Sequence, residues 1–245
     1  MPQDYGVVYD GSLPGTAADG SQKQLRTDRY GAAHSRSEVL SWAEDGGYFR
    51  ALGNATPLTG VAQAITAAFS ATAVPLVMVN GSATKKIIPH YIRLTCTAAG
   101  ASSTSSAFAI SIDSSNRYAS GGTDISGLIV NANTAIGPVS SVSVLRIGAV
   151  TAAAAGAGTR YVSQGQLKAQ AAPCWTVGDE VRFNFSPTGE ADPGTISGAA
   201  AICISKNVGP VVLSGQNSSL LLHLWNPANA TTAPSWAWEL AWWER

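Results

Sequence analysis

Charge is scarce in this chain of 245 residues, and neither sign dominates. Charged residues make up 12% of it, about half of the ~25% typical of soluble domains, and 15 basic residues balance 15 acidic ones. Because the chain has no net charge to attract an anionic polymer or surface, we expect neither nucleic acid nor a membrane as a partner. A surface poor in charge and rich in small residues favours a subunit that neighbouring molecules partly cover. A neutral domain with a Ser/Thr-rich β surface fits the same composition.

Cysteine is also rare, which excludes a disulfide framework. The three cysteines, Cys96, Cys174 and Cys203, include no C-x-x-C pair, so a zinc site is not indicated. We expect small buried residues in a protein made in a reducing compartment. The N-terminal MPQDYGVVYDGSLPG lacks the basic-then-apolar pattern of a signal peptide, and no apolar run approaches the ~20 residues of a membrane span. These absences predict synthesis in the cytoplasm.

The motifs of catalysis and cofactor binding are missing. The three histidines, His34, His90 and His223, show no metal-ligand spacing, and neither a G-x-S-x-G elbow nor a G-K-[ST] phosphate loop occurs. His90 and His223 alternate with apolar residues, which is typical of structural histidines. Glu190 and Asp192 form a carboxylate pair in the turn-rich GEADPG, where solvation explains them better than glycoside hydrolysis. We therefore expect no catalytic residue, no cofactor and no metal, and predict that the protein is not an enzyme.

Alternating apolar and polar residues dominate from about residue 54 onward and predict about ten short strands. Helical periodicity is weak, and no repeat of fixed period is present. The dipeptide Asn80-Gly81 predicts a hairpin turn between two of these strands. The sequence thus predicts an all-β fold, an antiparallel β-sandwich or jelly roll with an extended N-terminal arm.

One predicted strand, KKIIPHYIRLTCTA, combines apolar, aromatic and basic residues. Strict alternation assigns its residues to two faces. The apolar face would hold Ile88, His90, Ile92, Leu94 and Cys96, and the other face Pro89, Tyr91, Arg93 and Thr95.

Tryptophan is concentrated near the C terminus, where SSLLLHLWNPANATTAPSWAWELAWWER holds five of the seven. The polar NPANATTAP separates two alternating runs and predicts a β-hairpin with one strongly apolar face. That face would hold Trp236, Trp238, Leu240 and Trp242, and bury them in a core. Trp225 and Trp243 fall on the less apolar face. We predict that these two rings lie at an oligomer interface, and a platform for stacking sugars is the alternative.

Residues 1–50 differ from the rest because charge is concentrated there and apolar periodicity is weak. We predict an N-terminal arm over 1–50 and a β-sandwich body over 51–245. Within the arm, QLRTDRYGAAHSRSEVL sets Arg26, Arg29 and Arg36 around Tyr30. Arg and Tyr are over-represented where protein surfaces bind one another, so these residues are candidate partner contacts. A solvated arm without a partner is an equally good interpretation.

Two stretches, LRTDRYGAAHS and SLLLHLWNPANATTAPSWAWELAWWER, resemble virion structural proteins of tailed bacteriophages, most nearly the capsid decoration or cement type. The resemblance implies a jelly-roll body and a homotrimer on the capsid exterior, made in the host bacterial cytoplasm. Its partners would be the major capsid protein and further copies of itself. Such proteins clamp capsid subunits together and are not enzymes. The alternative is a receptor- or glycan-binding β-sandwich module of a tail fibre or spike.

Overall fold

The structure, a computed structural model, describes residues 43–53, 66, 68–99, 105–135, 141–169, 175–185, 202–226 and 234–245. Most of these residues lie in strands and the loops that join them, and one 3₁₀ turn spans Ser126–Leu128. In chain order the strands are β1 (Tyr48–Gly53), β2 (Ala73–Asn80), β3 (Ile87–Ala98), β4 (Ser105–Asp113), β5 (Tyr118–Asp124), β6 (Ile129–Asn131), β7 (Ser143–Ala152), β8 (Arg160–Ala169), β9 (Glu180–Asn184), β10 (Cys203–Asn207), β11 (Ser219–Trp225) and β12 (Ser235–Glu244).

The strands form two six-stranded sheets. Sheet 1 has the order β10-β9-β3-β12-β1-β6, and sheet 2 has the order β5-β7-β2-β11-β4-β8. Among the strands that the structure describes, only the pairing of β9 with β10 is parallel. One hydrophobic cluster contains residues of both sheets, so their inner faces share a core. The predicted all-β, antiparallel sandwich is therefore confirmed.

The predicted arm lies outside the described residues up to residue 42. Strand β1 begins at Tyr48, three residues before the predicted start of the body at residue 51, and pairs with β12 along its whole length. The last residues of the proposed arm are thus part of sheet 1. No helix in the described part of the chain is long and apolar enough to cross a membrane.

The tryptophan-rich strand β12 forms the central wall of the core. Its inward residues are almost fully buried, as the alternation predicted: Trp236, Trp238, Leu240 and Trp242. Strand β11 contributes the facing layer, Leu220, Leu222 and Leu224. Fully burying one large apolar side chain stabilises a fold by about 1.5–3 kcal/mol, so this wall is a major part of the core energy.

The predicted hairpin of β11 and β12 is wrong. Strand β11 lies between β2 and β4 in sheet 2, and β12 lies between β3 and β1 in sheet 1. The nine residues between them, 226–234, give the chain enough length to cross the ~10 Å between packed sheets. Pairing on both edges of two central strands satisfies more backbone groups than one isolated hairpin. The apolar faces of both strands still meet, but across the core.

The predicted hairpin at Asn80-Gly81 is also wrong, because β2 and β3 belong to different sheets. Asn80 is fully buried, and its amide donates to the carbonyl oxygens of Lys85 at 2.8 Å and Leu213 at 3.1 Å. The Gly81 N–H donates to the Val142 carbonyl at 2.9 Å. A Cβ at Gly81 would lie 2.8 Å from that oxygen. The dipeptide therefore fixes a crossover between sheets, with glycine allowing close backbone approach.

A β-bulge at His90 alters the predicted faces of β3. The register with β12 runs from Tyr91 directly to Pro89, so His90 is the extra residue. Ile87 joins the core, Ile88 is only half-buried and His90 lies outside it. The prediction was wrong for Ile88 and His90, since one inserted residue reverses the alternation. It is confirmed for Ile92, Leu94 and Cys96.

A buried arginine joins loops beside sheet 2. The Arg117 side chain is 2% exposed and donates from Nε to the Ala153 carbonyl at 2.8 Å and from Nη2 to the Ala71 carbonyl at 3.0 Å. Its Nη1 donates to Thr159 Oγ1 at 2.9 Å and lies 3.7 Å from Asp113 Oδ2. The charge is therefore bonded on every nitrogen, as a buried guanidinium requires.

Candidate functional site

The residues predicted to make partner contacts do not form one surface in the structure. Arg26, Arg29, Tyr30 and Arg36 lie outside the described residues. The predicted interface residues Trp225 and Trp243 are described, but they lie on different sheets because β11 and β12 do not form a hairpin. The structure therefore does not bring the two rings together, and each belongs to its own surface.

The first surface is the polar face of sheet 1, formed by Arg50, Tyr91, Arg93, Arg182 and Glu239. These residues come from β1, β3, β9 and β12, which are adjacent in the sheet. Their neighbours in sequence, Phe49, Ala51, Ile92, Leu94, Val181, Phe183, Trp238 and Leu240, point into the core. Alternation along each strand therefore directs the five polar and aromatic side chains to the outside.

Glu239 is the centre of this face. Its Oε1 accepts hydrogen bonds from Arg50 Nη2 and, at 2.5 Å, from the Tyr91 hydroxyl, while Oε2 lies 2.8 Å from Arg93 Nη2. Arg50 also donates to the Tyr91 oxygen at 2.8 Å. The Arg182 guanidinium stacks on the Tyr91 ring, 4.8 Å from its centroid. One carboxylate on β12 thus holds groups from two other strands, β1 and β3, in fixed positions.

The charges of the face set the ionisation of Glu239 and Tyr91. Burial alone raises the pKa of Glu239, but hydrogen bonds from Tyr91 and Arg50 and the charge of Arg93 outweigh it and lower that pKa. Burial and the bond to Glu239 raise the pKa of Tyr91. Glu239 is therefore an anion and Tyr91 a neutral donor at neutral pH. The Arg50 and Arg93 side chains are 43% and 45% exposed, so both also face solvent.

An aromatic cluster of Tyr48, His90 and Trp243 adjoins the polar face. The His90 and Trp243 rings lie 4.4 Å apart, and Tyr48 lies 5.1 Å from Trp243. The Tyr48 hydroxyl is hydrogen-bonded to His90 Nδ1 at 2.8 Å, and burial, with Tyr91 next, raises the pKa of Tyr48 to about 12. Trp243 is 5% exposed within a single chain. Contact with another subunit is not required to bury it.

The second surface is the aromatic cleft of sheet 2, an open depression of about 230 Å³ lined by Phe69, Tyr161, Gln164 and Trp225. Phe69 lies between the other two rings, with centroids 5.0 Å from Trp225 in a T-shaped contact and 6.1 Å from Tyr161 in a tilted one. Phe69 and Tyr161 are each 44% exposed, and Trp225 is half-buried. Ring surface is therefore open to solvent here.

His223 lies beneath the cleft, with ring centroids 5.5 Å from Phe69 and 5.9 Å from Tyr161. Nδ1 is 3.1 Å from the Ser70 carbonyl, an acceptor, so Nδ1 carries the proton and Nε2 accepts from the Ser111 hydroxyl at 2.9 Å. Burial lowers the pKa of His223, the bond to Ser70 opposes this, and Arg117 adds to the lowering. This neutral, doubly bonded imidazole holds Ser70, and with it Phe69, in place.

Other candidate chemistry is limited in the described ranges. No group of three or more His, Cys, Asp or Glu side chains there is arranged to hold a metal ion. Cys96 is buried as predicted, and burial together with Asp179 raises its thiol pKa to about 11, so the thiol stays protonated at neutral pH. Cys203 is half-buried. Glu190, Asp192 and Cys174 lie outside the described residues.

Sequence reasoning missed both surfaces as assemblies. Alternation did assign Tyr91 and Arg93 to the outer face of β3, but it gave no sign that Glu239, far along the chain, lies between them and Arg50. The sequence places Trp225 on the less apolar face of its strand, while its neighbour Phe69 lies in a stretch without strand periodicity. Comparisons of the chain with protein-family models, curated proteins and solved structures find no match.

Proposed function

We propose that this chain is a non-enzymatic structural protein of a tailed-phage virion. It decorates an icosahedral capsid and stabilises it by bridging major capsid protein subunits, and it acts as a homotrimer on the capsid exterior. The resemblance of two stretches of the sequence to decoration proteins supports this function. The polar face of sheet 1 is the structural observation that carries it.

The polar face has the chemistry of a protein-binding surface. Arg is one of the residue types that most often dominate the energy of interfaces, and this face presents the Arg50 and Arg93 side chains to solvent. Three arginines stand against Glu239 and nearby Glu180, which leaves one positive charge in excess (three minus two). Carboxylates and backbone carbonyls of a capsid subunit would accept hydrogen bonds from the exposed guanidinium groups.

The fixed positions of the arginine side chains on this face also favour its use as a protein contact. The Arg50 and Arg93 side chains are held by Glu239, which is itself on the core strand β12. Side chains ordered before binding lose less conformational entropy when a partner arrives. A clamp between capsid subunits requires such a pre-formed surface, since it must resist displacement of the subunits.

The experiment is to add the purified protein to phage heads that lack it and to measure co-sedimentation. We expect wild-type binding, and a loss of about 10-fold or more for Arg93→Ala, the size typical of one buried charged contact. Arg160→Ala is the matched control, because Arg160 is an exposed arginine on sheet 2. Failure of the wild type to bind would refute the function, and unaltered binding by Arg93→Ala would refute this face as the contact.

The homotrimer is tested separately by light scattering on a sizing column. A mass of three times 25.1 kDa supports it, and a monomer both in solution and on the head opposes it. A receptor- or glycan-binding module of a tail fibre or spike is the second candidate, since Trp225 lines an open aromatic cleft.

A further inference from the structure

We infer that the aromatic cleft of sheet 2 is a binding site for a neutral saccharide. The inference goes beyond capsid attachment and does not depend on it, because the cleft and the polar face of sheet 1 share no residue. The lining consists of the rings of Phe69, Tyr161 and Trp225 and the amide of Gln164.

The lining offers both kinds of contact that a sugar ring makes: aromatic surface for its apolar C–H side and an amide for the hydroxyl groups at its edge. An aromatic ring has a negative face, which attracts the C–H bonds on the apolar side of a pyranose. Phe69 and Tyr161 present such surface, since each is nearly half exposed and neither contact of Phe69 is a parallel stack. The amide of Gln164 has both donors and an acceptor for hydroxyl groups at the edge of the sugar.

Charge argues for a neutral ligand. None of the four lining side chains is charged. Arg160 directly precedes Tyr161 in β8 but is not among the residues that line the cleft. Lys168, farther along β8, is bonded to Asp179 at 2.8 Å and so is compensated. An ionic ligand, such as a phosphate or a sulfated sugar, would lose its hydration in the cleft without a counter-charge. A neutral sugar loses far less.

Size argues against a second copy of the chain as occupant. A stable protein interface uses about 20–30 residues on each side, whereas four residues line this cleft. Its volume of about 230 Å³ is also below the ~300–1,000 Å³ of pockets for drug-sized molecules. One or two sugar rings are the occupants of suitable size. The cleft is also held in shape from below, since His223 bonds Ser70 beside Phe69.

The test uses NMR of the full chain with glucose, galactose, N-acetylglucosamine, maltose and cellobiose at up to tens of millimolar. We expect at least one sugar to shift the Trp225 indole signal and to receive saturation transfer on its ring protons. Trp225→Ala and Tyr161→Ala should each weaken binding by about 3- to 10-fold, the worth of one aromatic contact. Gln164→Ala should weaken it about 5-fold, the worth of one hydrogen bond.

Controls separate this site from folding and from capsid binding. Tyr161→Phe keeps the ring and should retain binding, as should Val212→Ala, which alters an exposed apolar residue elsewhere. The variant Arg93→Ala should bind sugar as well as the wild type does, even though it is expected to lose binding to phage heads. The proposal is overturned if none of the five sugars acts, or if Trp225→Ala binds as well as the wild type. It is also overturned if the cleft signals follow protein concentration and oligomer mass instead, since the occupant is then a second copy.

Discussion

Removing the carboxylate of Glu239 tests the organisation of the polar face most directly. In Glu239→Ala, Tyr91 loses a buried acceptor, which costs about 1.5 kcal/mol. Arg50 and Arg93 each lose an ionic partner, but both are more than two-fifths exposed, so solvent screening reduces each loss to about 0.5 kcal/mol. The expected total is about 2.5 kcal/mol of unfolding free energy. Glu239→Gln keeps one carbonyl acceptor and should cost about 1–2 kcal/mol.

The assay is urea unfolding followed by tryptophan fluorescence, which the tryptophans of β12 make sensitive to loss of the core. Asp124→Asn is the matched control. Asp124 pairs with Arg146 at 2.9 Å on sheet 2 and is 45% exposed, so its ion pair contributes at most about 1 kcal/mol. If Glu239→Ala lost less unfolding free energy than Asp124→Asn, the idea that this carboxylate organises the face would be refuted.

The pH dependence provides a second, independent readout. The pKa of Glu239 is lowered in the folded protein, so its stabilising effect is present above the unfolded value of ~4.3 and is lost as pH falls through the folded pKa. The difference in stability between wild type and Glu239→Gln should therefore be constant from neutral pH to about 5 and shrink in more acid solution. A difference that stays constant down to the acid limit would show that the carboxylate is not ionised in the folded state.

Three further predictions concern stability. Arg117→Met should cost about 3–5 kcal/mol, because it leaves the buried Asp113 carboxylate without its counter-charge and two buried carbonyls without their donor. Thermal melting measures this, and a cost below about 1 kcal/mol would contradict it. His223 has a lowered pKa, so stability should fall by up to about 1.4 kcal/mol per pH unit below ~6.5, a slope that His223→Gln should reduce. Asn80→Asp should cost about 2–3 kcal/mol in urea, since a carboxylate cannot donate to the two carbonyls; in a hairpin turn, Asp-Gly would be tolerated.

Periodicity predicted which side chains point inward with good accuracy. The buried residues of β12 follow from the predicted alternation, and Val181 and Phe183 of β9 obey the same rule in the structure. This succeeds because the two faces of a strand differ in solvent exposure, and the hydrophobic effect selects residue type position by position. A single bulge at His90 was enough to reverse the assignment over the first part of β3, since nothing in local composition marks an inserted residue.

Pairing between strands was predicted poorly. Asn80-Gly81 and the polar 226–234 segment both have the composition of hairpin turns, yet each connects the two sheets. Composition shows that the chain turns, but whether it returns beside the same strand depends on which partners the other strands supply. In this fold β2 pairs with β11, so this pairing spans much of the chain. Such contacts are fixed by global burial rather than by the turn residues.

The same distinction explains why the candidate surfaces were harder to predict than the core. A core residue needs only to face inward, whereas a site needs particular neighbours. Arg50 and Glu239 are 189 positions apart and meet because β1 pairs with β12. The regular register of β3 with β12, which sets Arg93 opposite Glu239 and Tyr91 opposite Ala241, then places Tyr91 and Arg93 on the same side as Glu239. If β3 paired with β12 one residue out of register, β3 would still have one apolar face, but that face would no longer point into the core. Tyr91 and Arg93 would point inward instead, and Glu239 would lose the partners that hold it.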